Sequence, residues 1–263
     1  YMMQNKYNIY LLSPFSNNTD FYNPLYSVTS LSDAKIVANT LLKQIESKGN
    51  PFWHTASSKL LASLIFLLKK TSAIKNKNYM SFKNIQLLLS LTAEELSDLV
   101  NNPLLEDIKI ELASYLKSSE GTRSGIEMTL DSAISLFSDE NFNHFTSSHN
   151  INFNELRNNK TIIYLSIPES KIKYSSPFLS IFYKQLFEFL LLNHQGLPVY
   201  VLLDEFGNMG HIPDFENIIT TSRKKKISIS MILQELDQIK TLYGREAFNS
   251  IYNGGCISKI YYP

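Results

Sequence analysis

Apolar and polar positions along this chain change their spacing twice. Residues 7–12 form a short apolar run closed by Ser13-Pro14, which predicts a strand. A polar connection rich in Asn and Ser follows, then an amphipathic stretch over 33–48, with Ser32 as its expected N-cap. From Pro51 to about Asn150 every periodic segment is helical: 56–70, 81–89, 93–100, 104–116 and 124–137. Strand-like runs then return at 161–167, 199–203, 227–233 and 256–260, the last read as extending to 262, with a helix over 176–192. A hundred residues of helix between strands of one sheet predict an α/β core with an inserted all-α domain. The division is 1–50 for the first part of the core, 51–150 for the insertion and 151–263 for the second part.

The run Tyr200-Val201-Leu202-Leu203-Asp204-Glu205-Phe206 puts two adjacent carboxylates at the end of a wholly apolar strand. A strand apolar on both faces needs cover on both sides, which predicts a parallel α/β sheet whose ligands lie beyond the strands' carboxyl ends. Two acids there have the layout of a Walker B motif. The first holds magnesium on a nucleotide, usually through water, and the second polarises the water that attacks the γ-phosphate. The plain alternative is an Asp-Glu pair that only begins a solvated turn. The residues beyond Phe206 add weight to the functional reading. Gly207-Asn208-Met209-Gly210 and Ile212-Pro213 make a turn, and Phe215, Ile218 and Ile219 recur at helical spacing up to Arg223-Lys224-Lys225-Lys226. The strand over 227–233 then delivers Gln234 to the same sheet edge as the acids. A side-chain amide can bond both a water and a phosphate oxygen, as a nucleotide-state sensor must. The order of acids, arginine and glutamine is more specific than any one of them.

With those residues in order, the chain resembles the coupling-protein ATPases of conjugative plasmids and type IV secretion, the TraG/TraD-like family. Leu202-Leu203-Asp204-Glu205-Phe206-Gly207-Asn208, Ile212-Pro213 with Phe215-Glu216, Arg223-Lys224, Gln234 with Gln238, Tyr243-Gly244 and Asn253 are similar to its Walker B and downstream motifs. Tyr22-Asn23-Pro24-Leu25 resembles the asparagine-proline element after its second core strand, and Asn50-Pro51-Phe52-Trp53 the start of its helical insertion. Where the family usually has Gln-Ser, this chain has Gln234-Glu235, which leaves the role of Glu235 open. The resemblance implies a RecA-like P-loop ATPase core that uses ATP and magnesium. Asp204 would hold magnesium through water, and Glu205 and Gln234 would act on the attacking water. Arg223 would be a finger inserted into a neighbouring subunit's site. It further implies a homo-oligomeric ring, a hexamer, that moves single-stranded DNA with its relaxase, or a protein cargo, toward type IV secretion channel components. The location implied is the cytoplasmic face of a cell membrane, held there by an anchor upstream of this segment.

None of the nine glycines belongs to a Gly-x-x-x-x-Gly-Lys-Ser/Thr phosphate loop. With its opening on Tyr1, this leads us to expect a piece of a longer ATPase, inactive alone. A net charge of +1 excludes a uniformly basic nucleic-acid binder. The one dense basic run, Arg223 to Lys226, leaves Lys224, Lys225 and Lys226 two readings: a solvated helix end, which cations favour, or a contact with DNA or a partner. Arg123, in Ser118-Ser119-Glu120-Gly121-Thr122-Arg123-Ser124, has two as well: a helix-helix turn with a Ser/Thr cap, or a contact to a DNA phosphate or partner. The single cysteine, Cys256, excludes an internal disulfide and is read as strand packing. His144 and His149 lack partners at zinc spacing. The apolar stretches 60–68 and 178–192 fall short of the ~20 uninterrupted apolar residues a membrane span needs. Four other identities remain: a ring ATPase of the secretion machine, though its acids more typically precede Ala-Trp than Phe206-Gly207; another DNA translocase, of the chromosome-partitioning or DNA-resection kind, which the helical insertion argues against; a non-catalytic adaptor whose helical domain binds relaxase or cargo; and a cargo receptor for protein toxins that uses the same fold without DNA.

Overall fold

The computed structural model describes residues 6–44 and 51–261. The chain divides into two compact units: residues through Leu12 together with those from Ile151 onward, and Ser13–Asn150. The helical unit is thus inserted between strand β1 (Asn8–Leu12) and the rest of the core.

Among the described residues seven α-helices make the inserted unit: α1 (Leu31–Leu42), α2 (Pro51–Lys75), α3 (Phe82–Leu89), α4 (Ala93–Leu99), α5 (Glu106–Leu116), α6 (Glu120–Ile134) and α7 (Glu140–Phe145). Helix α1, grouped with the core by the sequence-based division, packs along α2. Its cap is Ser30 rather than Ser32. The Ser30 hydroxyl accepts from the Asp33 amide at 3.2 Å while the Asp33 carboxylate accepts from the Ser30 amide at 2.9 Å, a reciprocal capping box that Ser32 is placed too late to make. The expected continuation of this helix over 45–48 lies outside the described residues, as does Asn50. Helix α6 likewise starts earlier than its expected first residue, capped by Ser119, and takes in Gly121 to Ser124. Arg123 reaches back to donate to the Ser118 carbonyl at the end of α5. Trp53 packs on α6 where a Cβ on Gly125 would stand 2.6 Å from its ring, which fits the packing reading of this tryptophan. Asn23 of the asparagine-proline element is buried, donating to the Met80 carbonyl at 2.7 Å and accepting from the Leu25 amide at 2.9 Å.

The core unit resumes with α8 (Glu155–Asn158), β2 (Thr161–Leu165), α9 (Glu169–Ile172), α10 (Ser176–Leu192), β3 (Val199–Leu203), α11 (Phe215–Ser222), β4 (Ile227–Met231) and α12 (Asp237–Asn249). The strands form two parallel pairs: β1 with β2, from Asn8 opposite Thr161 to Leu12 opposite Leu165, and β3 with β4, from Val199 opposite Ile227 to Leu203 opposite Met231. Pro177 sits in the first turn of α10, whose Phe178, Ile181, Phe182, Leu186 and Leu190 are buried.

Two strand expectations change. The all-apolar β3 is covered on one face only among the described residues, since residues of a strand alternate between faces. Val199 and Leu203 are buried, while Tyr200 is 79% and Leu202 68% exposed. The strand expected from residue 256 does not form over the described residues to 261. The chain there leaves a π-helical turn, Ser250–Gly255, with Ile257 and Ile260 exposed and without the pairing that makes a strand. Tyr262 lies outside the described residues. Cys256 is half-buried beyond that turn, and burial pushes its thiol above the ordinary value. Among the described residues no helix is long and apolar enough to cross a membrane.

Candidate active site

The site grows from the way β3 and β4 end. Their ladder continues one step past the strands: the Ile232 amide donates to the Leu203 carbonyl at 2.9 Å, and the Phe206 amide to the Ile232 carbonyl at 3.0 Å. This fixes the turn after β3 against the segment that carries Gln234. Between those two bonds Asp204 and Glu205 stand at the carboxyl edge of the pair.

Glu205 adopts φ 53° and ψ 39°, the left-handed region that a residue with a Cβ enters at a cost. That conformation turns the chain into a short 3-10 turn, Phe206–Asn208, and brings three amide contacts onto one carboxylate. Gln234 Nε2 donates to Oε1 at 3.1 Å and Oε2 at 3.2 Å, and Asn208 Nδ2 donates to Oε2 at 3.0 Å. Asp204 is exposed, and its Oδ1 accepts from the Glu205 amide at 3.1 Å.

A buried aromatic floor holds the turn. Phe206 is fully buried, with ring centroids 4.8 Å from Phe215 and 6.0 Å from Tyr243. The Tyr243 hydroxyl accepts from the Ile212 amide at 3.1 Å, tying the Ile212-Pro213 bend to α12, and burial raises its phenol above the ordinary value. Gly207 permits the close approach of α12: a Cβ there would lie 2.4 Å from Gln238 Oε1 and 2.8 Å from Gln238 Cβ.

The structure therefore brings Glu205 and Gln234 together, as their positions after two parallel strands predict, with Asp204 beside them. It adds Asn208, which the sequence reading names only within the family pattern and not as a site residue. Arg223 is elsewhere. It is exposed in the 3-10 turn that precedes β4, so the length of that strand, roughly 3.3 Å per residue, separates it from the Glu205 edge. Lys224 and Lys226 are exposed with it, and Lys225 is half-buried, its Nζ 3.5 Å from His194 Nδ1. Arg123, in the helical unit, is half-buried and bonded to its own helix junction.

Chemically, two carboxylates and an amide at the carboxyl edge offer hard oxygen donors of the kind that magnesium takes, together with a carboxylate held ready to accept a proton.

Among known proteins, the chain is 28% identical over 127 residues to the protein VirD4 of Rhizobium radiobacter, covering 46% of this chain and 18% of that protein. It is 26% identical over 127 residues to VirD4 of Agrobacterium fabrum, covering 46% and 19%. Among solved structures, the bacterial conjugative coupling protein TrwBdeltaN70 in complex with sulphate superposes with a TM-score of 0.73 at 13% identity, over 97% of this chain and 63% of that one. The plasmid coupling protein TrwB in complex with ADP and Mg2+ superposes at 0.71 and 15% identity, over 94% and 56%. The match thus spans less than a fifth of the length of these curated relatives. The structural likeness shows the fold, a RecA-like α/β core of parallel strand pairs with an inserted helical domain. Residues 2–263 match the family described as type IV secretory system conjugative DNA transfer, and with nearly the whole chain inside that match, it belongs to this family of coupling proteins.

Proposed function

We propose that this chain forms most of the ATP-hydrolysing core of a coupling protein that recruits relaxase-bound single-stranded DNA, or a protein cargo, to a type IV secretion channel and drives its transfer. The observation that carries this reading is the Glu205 carboxylate held by Gln234 and Asn208 at the carboxyl edge of β3 and β4. Magnesium-bound ATP, when present, supplies the γ-phosphoryl group that water attacks. Asp204, exposed at the end of the strand, is suited to hold the metal through water. Glu205 accepts a hydrogen bond from the attacking water and takes its proton. The amides of Gln234 and Asn208 keep that carboxylate oriented, and the Gln234 carbonyl oxygen is a second acceptor for the same water. Arg223, a strand's length away, acts in this reading on the nucleotide of a neighbouring subunit in a homo-oligomeric ring, a hexamer. There its charge offsets that of the transition state.

Lys224 and Lys226, exposed beside it, are suited to sequence-independent contact with DNA phosphates, which weakens as salt rises. The helical insertion, residues 51–150 of the sequence-based division, is assigned the recognition of relaxase or cargo. No stretch of the 263 residues supplies a phosphate loop, so the chain alone is expected to bind nucleotide weakly and not to turn it over. An upstream membrane anchor that keeps this core at the cytoplasmic face belongs to the same reading.

The two acids separate the outcomes. In the full-length protein, Glu205→Gln retains ATP affinity while turnover falls by about 10²-fold or more, because only proton acceptance is lost. Asp204→Ala instead weakens magnesium-nucleotide binding. Equal, mild effects from both substitutions would reduce the pair to a solvated turn.

A further inference from the structure

Arg157, in the single turn of α8, donates five side-chain hydrogen bonds, and no motif of the sequence pointed to it. It is 4% exposed, and among the described residues no carboxylate pairs with it. A guanidinium has five N–H donors in a fixed fork. Here every one meets a backbone carbonyl. Nε donates to Asn193 at 2.7 Å, one terminal nitrogen to Leu197 at 2.8 Å and Lys226 at 3.4 Å, and the other to Leu190 at 3.0 Å and Lys225 at 2.9 Å.

Four of those carbonyls belong to two helical ends, and the fifth, Leu197, lies in the loop before β3. Leu190 and Asn193 lie in and just past the last turn of α10, and Lys225 and Lys226 close the 3-10 turn that follows α11. Carbonyls at a helix C-terminus lack partners within the helix and carry its partial negative charge, so a buried cation between two such ends is stabilising at both. The backbone of Arg157 is held in the same place. Its carbonyl accepts from the Leu197 amide at 2.9 Å, and Gly196, at φ 90°, leaves room that a Cβ 2.3 Å from that oxygen would take away.

We infer that Arg157 is a positioning residue for the Arg223–Lys225 turn: its five bonds set the backbone from which Arg223 projects, and so the reach of that side chain toward a neighbouring nucleotide. The functional half of the inference rests on the role proposed for Arg223; the positional half does not. Lysine keeps the charge but has three donors on one point, so Arg157→Lys can replace at most three of the five bonds.

Two measurements keep the halves apart. In the 263-residue chain, hydrogen exchange of Arg157→Lys is expected to rise roughly tenfold at the amides of residues 223–227 and at the end of α10, with Phe206 to Met209 unchanged. In the full-length protein the same substitution lowers kcat by about tenfold to a hundredfold with KM unchanged, and adds little to Arg223→Ala in the double variant. Exchange that rises evenly across the unit, or nowhere, overturns the positional half. Localised exchange with normal kcat, in a protein that Arg223→Ala impairs, overturns the functional half. If Arg223→Ala is itself as active as the parent while exchange stays localised, the finger reading fails and the anchoring of the turn stands.

Discussion

The left-handed backbone at Glu205 yields a prediction whose sign is unusual. At most positions, replacing alanine by glycine destabilises a protein by about 0.5–1 kcal/mol, because glycine frees the unfolded chain. At φ 53° and ψ 39° a Cβ itself costs roughly 1–2 kcal/mol in the folded state, and that cost vanishes with glycine. Glu205→Ala and Glu205→Gly both lose the bonds from Gln234 and Asn208, so those losses cancel when the two variants are compared with each other. The difference is about 1–2 kcal/mol gained less about 0.5–1 lost, so Glu205→Gly is expected to be the more stable by about 1 kcal/mol. Urea denaturation of the chain, followed by far-UV circular dichroism, reads this directly. With a slope of about 2–3 kcal/mol per molar, the midpoint of the glycine variant should lie roughly 0.3–0.5 M above that of the alanine variant. A glycine midpoint equal to or below the alanine one would mean that Glu205 is not held in this strained geometry, and the account of how Gln234 and Asn208 reach its carboxylate would go with it.

The packing and the caps give two further outcomes. Phe206→Ala empties the aromatic floor shared with Phe215 and Tyr243 and should cost about 3–5 kcal/mol in the same denaturation assay, against about 0.5 or less for a surface change such as Lys224→Ala. At Asp33, burial pushes the carboxyl upward, but bonds from Thr29 and Ser30 outweigh it and hold the group below its ordinary value. A carboxyl lowered by folding adds stability that is present above the unfolded pKa of about 4 and is lost as pH falls through the folded value. Asp33→Asn should therefore lower stability by about 1 kcal/mol at pH 7 and narrow its gap from the parent below pH 4, as seen in thermal melts across that range; a gap independent of pH would refute the capping role of the carboxylate.

How far the chain could be read in advance depended on the range of the forces involved. Runs such as Tyr200 to Leu203 and Ile227 to Met231 are local signals, and both became strands. Because these two strands run parallel, the positions of Glu205 and Gln234 just past their ends already implied that the side chains would meet. The N-cap of α1 was missed by two residues since Ser30 and Ser32 are the same residue type, and only the reciprocal bond with Asp33 separates them. The strand expected from residue 256 had the right composition, but a strand is defined by a partner, which a single segment does not reveal. Asn208 and Arg157 were harder still. Asn208 matters through the left-handed turn at Glu205, and Arg157 through carbonyls 33 to 69 residues away, relations that no local pattern encodes.

The central claim is that Glu205 and Arg223 serve the same reaction from different subunits. The direct test mixes full-length Arg223→Ala subunits, which keep Glu205, with Glu205→Gln subunits, which keep Arg223, and measures ATP turnover by rings verified to be mixed. Each variant alone should be inactive. At equal proportions about one interface in four pairs an intact acid with an intact arginine, and turnover should return toward that fraction of the parent rate. Mixed rings as inactive as either parent, or an Arg223→Ala ring that hydrolyses ATP as well as Lys224→Ala does, would contradict it.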